Sequence, residues 1–568
     1  MEHTEYTGQE YPSQEYPQYP EYPPPAPMPP SRTKGEAAQG AAGVVLPSSP
    51  QPYPPPWQVR QPKPVTQDPF KPDGRDLAFA IAAFALGILF TRWALFLWKG
   101  WGVTAFTAAY LATTTFYFVK KGSYQKGTAT IFWFAVTLLA GASYSLWDNA
   151  GFNIYRALFL FCSAVYYTIT ASGNRFMGKT SNYLFVDGLN AVIFLPFGNF
   201  ANQYLSFKAL KRTGKRGKAL PALLGVAIAL ILAAILIPML RRADSGGFAA
   251  LVDGLADALR FINARTLLYF ALGLPVAAYL CGLVSGAAHK RGADVIKPEP
   301  AQKAVGALRA LPTVTVGTVL GVVCAIYAIF ILSQLPYFFS AFTGNRPEGW
   351  LVYSEYARRG FFELCGVAVI NLVVVTLGNL TCKKKRSDSG MLRLFNVALS
   401  VITLLLIATA FSKMALYINA YGLTMPRLLP CVFMLFLAIV FIALIALQKW
   451  DFSIVRLALV SGAVIMLAMC LSNPDALVAK YNTDRYLSGT LSGYDVEVLY
   501  RARFAGVAPA LEVRDKARDQ RVKKAVDMYL ARQEEELGVH VTGTYLGSGL
   551  NAYSYESSHA ASLLQGRK

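Results

Sequence analysis

The sequence predicts an all-α protein: a polytopic transmembrane helix bundle of about eleven spans, with a disordered Pro/Tyr-rich amino-terminal tail and a small helical carboxy-terminal segment. Three observations carry that prediction. Hydrophobic residues make up 54% of the 568 and charged residues only 15%, whereas a soluble domain carries roughly a quarter charged. The apolar residues fall in runs of about twenty, the length at which a helix crosses roughly 30 Å of hydrocarbon. Short basic patches separate the runs, at Lys120 and Lys121, Lys208 to Lys218, Lys290 and Arg291, Lys383 to Arg386, and Lys449.

Residues 1–75 repeat Tyr-Pro (Tyr11-Pro12, Tyr16-Pro17, Tyr19-Pro20, Tyr22-Pro23) and then run through Pro24, Pro25, Pro27, Pro29 and Pro30. Proline removes backbone donors and favours polyproline II, and the aliphatic residues are too few to offset the entropy of ordering. The stretch reads as a cytoplasmic tether, and its Tyr-Pro repeats also suit docking into the aromatic groove of a cytoplasmic protein. It lacks the basic start and short apolar core of a signal peptide.

Residues 76–473 hold the bundle. Apolar runs occupy about 77 to 98, 101 to 119, 128 to 147, 152 to 170, 219 to 240, 265 to 286, 313 to 334, 360 to 380, 393 to 412, 427 to 447 and 454 to 473. The fourth contains Arg156, which must face protein or reach the headgroups. Two further stretches are amphipathic: Tyr183 to Phe200, interrupted by Asp187, Pro196 and Gly198, and Phe248 to Ile262, with Asp253, Asp257 and Arg260. These are expected to lie in or re-enter the interface. With the amino terminus in the cytoplasm, the basic patches fall on the inner connections, as the positive-inside rule requires. An odd number of spans then places the carboxyl terminus outside the cell membrane.

Residues 474–568 are polar. From about 512 to 537, Val513, Val522, Val526, Tyr529 and Leu530 recur at helical spacing among charges, which predicts a surface helix ending near Gly538.

Lys and Arg outnumber Asp and Glu by 54 to 33, a net charge of +21. The excess sits beside apolar runs, where topology and the anionic headgroups of the lipid bilayer explain it. No element of a nucleic-acid module accompanies it, so nucleic acid is not an expected partner. The cysteines show no CxxC spacing and read as small core residues, with Cys382, beside Lys383 to Arg386, the one position suited to acylation. No hydrolase elbow, Walker loop, zinc motif or dinucleotide fingerprint occurs, so neither cofactor, metal nor catalytic residue is expected.

Polar residues of mixed sign do gather near one predicted membrane face. Glu355, Arg358, Arg359 and Glu363 lead into the eighth span, with Glu355, Arg359 and Glu363 four apart on one helical face. Lys413, Tyr417 and Asn419 end the ninth span, and Arg427 opens the tenth. Asn473, Asp475, Asn482, Asp484 and Arg485 follow the eleventh. Glu363, about one turn inside an apolar run, must face protein, water or an arginine. Together these residues predict an outer-face polar cluster, either a structural ion-pair network or a binding site.

The stretches YSEYARRGFFEL (353–364), KMALYINAYGLTMPRL (413–428) and NPDALVAKYNTDRYLSG (473–489) resemble an uncharacterised family of bacterial multi-pass membrane proteins known only as a domain of unknown function, of the 4173/4153 type. The resemblance implies the architecture and a bacterial inner-membrane location, and no reaction. Residues 550–554 resemble a weakened form of the family's Asn-Leu-Ser ending. At Gly506 to Leu511 the proline of the family's Asp-Ala-Val-Pro-Ala-Leu pattern persists as Pro509, while its acidic residue is missing. Three functions compete: a non-enzymatic scaffold or signalling component of the envelope, which the lack of catalytic motifs favours; a transporter or lipid-substrate handler using the charged cluster; and a transferase using a lipid-linked donor.

Overall fold

A computed structural model of the chain describes residues 69–96, 98–210, 264–292, 298–343, 353–542 and 553–566, with single positions between 225 and 240 and at 296. The Tyr-Pro tail, the expected span at 219 to 240 (those positions aside) and the amphipathic stretch 248 to 262 lie outside the described residues.

Helix α1 (Gly74–Phe90) begins at a reciprocal cap: the Asp73 carboxylate accepts the Asp76 amide at 3.0 Å, and the Asp76 carboxylate accepts the Asp73 amide at 2.9 Å. The helix runs on through a π turn to Leu95. Helix α2 (Trp101–Lys121) returns beside it, because Lys121 at its end meets Asp73 at 3.0 Å and Asp76 at 2.9 Å. Helices α3 (Thr128–Leu146) and α4 (Asn153–Ala171) form the next antiparallel pair. At one end of this group the Gln125 amide donates to the Ala171 carbonyl at 2.7 Å; at the other the Gly100 amide donates to the Tyr144 carbonyl at 3.1 Å. The first end carries the basic connections and is the basic end. Helix α8 (Ala264–Ala288) closes the group, its following His289 bonded to Asp76 at 2.9 Å. It approaches α1 closely at Gly87 and Gly273, where a Cβ on Gly87 would sit 2.3 Å from the Gly273 carbonyl oxygen. Small residues let helix backbones meet this closely inside lipid.

Among the described residues, ten helices are long and apolar enough to cross a membrane. They differ from the expected spans at two described places. The Thr-rich α2 is not among them, although its two ends sit level with the ends of α1 and α3 and its 21 residues extend about 32 Å. Conversely, Leu184–Ala209 is among them, but both of its halves are tied to the basic end, while its middle reaches Tyr279 of α8, whose hydroxyl donates to the Val192 carbonyl at 3.2 Å. It comprises α5 (Leu184–Leu189), a π turn, α6 (Leu195–Gly198) and α7 (Asn202–Leu210). Asp187 accepts the Phe176 amide at 2.6 Å, and Asn199 and Asn202 donate to the Arg291 carbonyl and the Ser285 hydroxyl, each at 2.9 Å. A segment tied at both halves to one end fits the interfacial or re-entrant course expected of it, with Phe185 and Phe197 exposed.

After the polar α9 (Pro298–Ala307), a second group forms from α10 (Thr313–Thr343), α11 (Tyr353–Thr381), α12 (Gly390–Tyr421) and α13 (Met425–Leu447). Its core joins Leu320, Phe361, Leu399, Leu406, Met434 and Phe441. Leu311 pairs with the chain around Cys382, and Arg386 reaches the Leu447 carbonyl and Asp451, so these connections share one end. Arg456, donating to the Thr180 carbonyl at 3.1 Å, shows that end to be the basic end of the first group. Cys382 is fully buried against Thr313, in keeping with a packing role. Helix α14 (Ile454–Leu471) bridges the two groups, with Ala463 in the first core and Ala458 against the second.

Within the second group, polar side chains hydrogen-bond across helices. The Tyr327 hydroxyl donates to Asn371 at 2.7 Å, Asn371 donates to Thr403 at 2.9 Å, and Asn379 and Asn396 exchange two bonds of 3.1 Å. Asn371→Leu is expected to destabilise the bundle by ~1 kcal/mol, since the half-buried Tyr327 hydroxyl loses its acceptor and the buried Thr403 hydroxyl loses a donor. Thermal unfolding in detergent checks this, and a Tyr327→Phe, Asn371→Leu double variant should recover part of the loss.

Beyond α14 the chain forms a polar lobe: α15 (Pro474–Leu487), α16 (Glu497–Ala502), a 3-10 turn at Arg503–Gly506, α17 (Val507–Lys516), α18 (Gln520–Thr542) and α19 (Tyr555–Gln565). Its core holds Leu499, Val507, Val513, Val526, Tyr529, Leu530 and Leu564. The valines and aromatics expected of a surface helix thus face one another rather than lipid. The lobe packs on the end of the bundle opposite the basic connections, where Trp147 donates to the Leu471 carbonyl at 2.9 Å.

Candidate functional site

The residues singled out from sequence fall into three places. The first is the start of α11. Arg359 and Glu363 pair at 3.1 Å along one face, both largely exposed, and Arg358 beside them is exposed. The side chain of Glu355 lies outside the described residues. Lys413 on α12 packs over Gly360, whose missing side chain makes room for it: a Cβ there would meet its ammonium at 2.7 Å. Glu363 is thus paired with one cation and lies within the electrostatic reach of a second, Lys413.

The second place is the turn between α12 and α13. Arg427 donates to the Tyr421 carbonyl at 2.8 Å and to that of Gly422, with its guanidinium 4.3 Å from the Tyr417 ring. Asn482 grips the same turn from the lobe, accepting the Leu423 amide and donating to the Leu423 carbonyl, both at 2.7 Å. Arg485 donates to the Ile418 carbonyl at 3.3 Å and the Thr490 carbonyl at 2.9 Å. These contacts cap exposed helix carbonyls, which is a structural task. Asn419 is exposed, and Asp484 makes a surface pair with Lys480 at 3.2 Å.

The third is the seam between bundle and lobe. Asn473, in a left-handed conformation that asparagine tolerates (φ 49°), donates to Glu556 at 2.5 Å. Asp475 accepts the Gly151 amide at 3.0 Å. Around them stand residues that the sequence reading did not select. Glu556 accepts the Asp148 amide at 2.9 Å, and Arg503 pairs with Asp148 at 3.0 Å and with Glu536. Arg156, completely buried, donates to the Trp147 and Asp148 carbonyls at 2.9 and 3.0 Å and stacks 3.8 Å over the Tyr144 ring. Only Arg156 had signalled itself, as a charge inside an apolar run. Burial pushes the Asp475 carboxyl up to about 6 and that of Glu556 to about 7, despite the hydrogen bonds from Gly151 and from Asp148 and Asn473 that work the other way. Burial likewise lowers the half-buried Lys99 ammonium, against the pull of Asp148.

A cavity lies apart from these three places. A groove of about 960 Å³ opens between the two helix groups, walled by Phe159 and Tyr166 of α4, Phe362 and Cys365 of α11, Phe436 of α13 and Gly462 of α14. It follows α14 from Val455 to Met469, a rise of about 21 Å. No Asp or Glu stands among its lining residues. An apolar wall carries no sequence signature that separates it from a packed core, so nothing in the chain announced it. Among the described residues no cluster of His, Cys, Asp or Glu is placed to hold a metal ion.

The fold and these sites define a polytopic α-helical membrane protein with a lateral apolar groove and a polar lobe on one end. The chain belongs to the family of the domain of unknown function DUF4153, whose model matches residues 134–512. That match takes in the start of α11, Arg156, Asp475 and all but one of the groove residues, and ends before α18 and α19. Neither a curated protein nor a solved structure matches the chain.

Proposed function

We propose that the protein is a lipid handler of the bacterial cell membrane, seating an acyl chain in the groove between its two helix groups and receiving an anionic headgroup at Arg358 and Arg359. The observation that carries this reading is the course of α11. Phe362 lines the groove, and Arg358 precedes it by four residues and Arg359 by three, so the face of α11 that walls the cavity carries two exposed guanidinium groups about one turn further on. Both ends of α14 lie at the ends of the bundle, so the wall between them stands at hydrocarbon depth, where lipid is the abundant apolar occupant. The volume falls within the range of small-molecule sites. Guanidinium pairs bind phosphate oxygens in two-pronged fashion, which suits an anionic phospholipid.

The orientation that the positive-inside rule favours supports the same picture, with the basic end and the Tyr-Pro tail in the cytoplasm and the lobe outside. In that arrangement the tail is free to dock a cytoplasmic protein, so a scaffold role can coexist with lipid binding. A lipid-linked transferase finds less support, because among the described residues no carboxylate lines the groove.

The test uses the full chain in nanodiscs containing phosphatidylglycerol with a photoactivatable acyl chain. Crosslinks should map to α4, α11 and α14. Gly462→Leu, which fills the groove, should reduce them about tenfold. Arg358→Gln with Arg359→Gln should abolish the preference for phosphatidylglycerol over phosphatidylcholine. Crosslinks spread over the outer perimeter and indifferent to Gly462→Leu would refute the reading.

A further inference from the structure

We propose that the seam between bundle and lobe is a proton-responsive latch, in which Glu556 and Asp475 hold helix α19 against the bundle when protonated and release it when ionised. The site is separate from the groove and stands on its own geometry. Helix α19 meets the bundle through its first turn: Tyr555 stands edge-on to the Trp147 ring with centroids 6.2 Å apart, and Glu556 reaches the Asp148 amide with one oxygen and the Asn473 side chain with the other. The residue before its cap completes the contact, as the Tyr553 carbonyl accepts the Trp101 amide at 3.0 Å. Glu556 is therefore the link between an element at the far end of the chain and two different bundle connections.

The charges facing it make that link sensitive to protonation. From the bundle come Asp148, Arg156 and Lys99. From the lobe come Asp475 on α15, Arg503, and Glu536 on α18. His559, one turn along α19, stacks on Tyr555 with ring centroids 6.1 Å apart. With every acid ionised, the carboxylates of Asp148, Asp475, Glu536 and Glu556 face three cations in a largely buried space. Protonating Glu556 and Asp475 removes two of the four negative charges. The seam also has slack: Asn149, 1% exposed and in a left-handed conformation (φ 42°), has neither amide atom hydrogen-bonded. A buried junction with unmet polar groups is one that opens at low cost.

The sign follows from linkage. Glu556 titrates near 7 and Asp475 near 6 when docked, both above the ordinary carboxylate range, because burial disfavours their charged forms. Between that ordinary range and those values the docked state binds more protons than the open state. Docking therefore tightens as pH falls through 7 towards 5 and loosens as pH rises.

Hydrogen exchange of the α19 amides, in the full chain in detergent and corrected for intrinsic rates, tests the proposal at about pH 5.5 and 8.5. In the wild type, opening should be at least about tenfold rarer at the lower pH. Glu556→Gln, which keeps the shape and the acceptor of the protonated acid, should be protected at both pH values, and Asp475→Asn should reduce the pH dependence. Equal opening at both pH values in the wild type overturns the latch. So does Glu556→Gln with α19 exposed at both, or with the wild-type pH dependence intact. A reference helix in the first group, α3, should show no such dependence in any variant; a parallel change there would assign the effect to the whole fold and refute the proposal.

Discussion

Arg156→Ala is expected to cost ~3 to 5 kcal/mol and to loosen the lobe from the bundle, the range for removing one partner from a buried charged network. The guanidinium is among the largest fully buried side chains. It satisfies the carbonyls of Trp147 and Asp148, which end α3 and begin the connection that the lobe grips. Its charge also acts on Asp475, so its loss leaves Asp148, Asp475 and Glu556 opposed chiefly by Arg503 and Lys99. Arg156→Lys should lie between, because an ammonium cannot fork to two carbonyls while stacking on Tyr144. Thermal unfolding in detergent, with proteolysis of the lobe as a second readout, measures both. A lysine variant as damaged as alanine would show that fork geometry, rather than charge, governs the site; an alanine variant with wild-type stability would contradict the account of Arg156 given above.

The second large effect is expected at the contact of α1 with α8. Gly87→Val adds a side chain where the first carbon alone would lie 2.3 Å from the Gly273 carbonyl oxygen and 2.8 Å from the Ala277 backbone nitrogen. Rigid backbone cannot yield as a flexible side chain can, so the helices must separate, at ~3 kcal/mol or more. Gly273→Ala, whose nearest contact would be 3.2 Å, should cost much less. Monodisperse yield and melting temperature of the two variants test the asymmetry; equal damage would place the tight point elsewhere.

How much of this was legible in the sequence depended on the range of the interaction. Runs such as 393 to 412 and 427 to 447 announced themselves, because crossing lipid demands about twenty apolar residues in succession and satisfies the backbone within the helix. The run 101 to 119 was legible as a helix, in which several threonines return their hydroxyls to their own backbone, as Thr107 does to the Val103 carbonyl at 2.8 Å. The charged face of α11 was legible too, because residues four apart on a helix are neighbours without help from the rest of the fold.

The grouping of the predicted polar residues was not. Arg427 and Arg485 turned to nearby backbone carbonyls, and Asn473 and Asp475 turned inward to a junction whose other members lie far along the chain; Asp148 and Glu556 are 408 residues apart. Sequence by itself determined which segments enter lipid and which end of each is basic, since hydropathy and charge act residue by residue against the solvent. Only the tertiary structure decided that two helix groups stop short of each other to leave an apolar groove, and that a late glutamate closes on an early loop. Cavities and buried charges are properties of surfaces brought together from distant parts of the chain, and neither leaves a trace in any one of them alone.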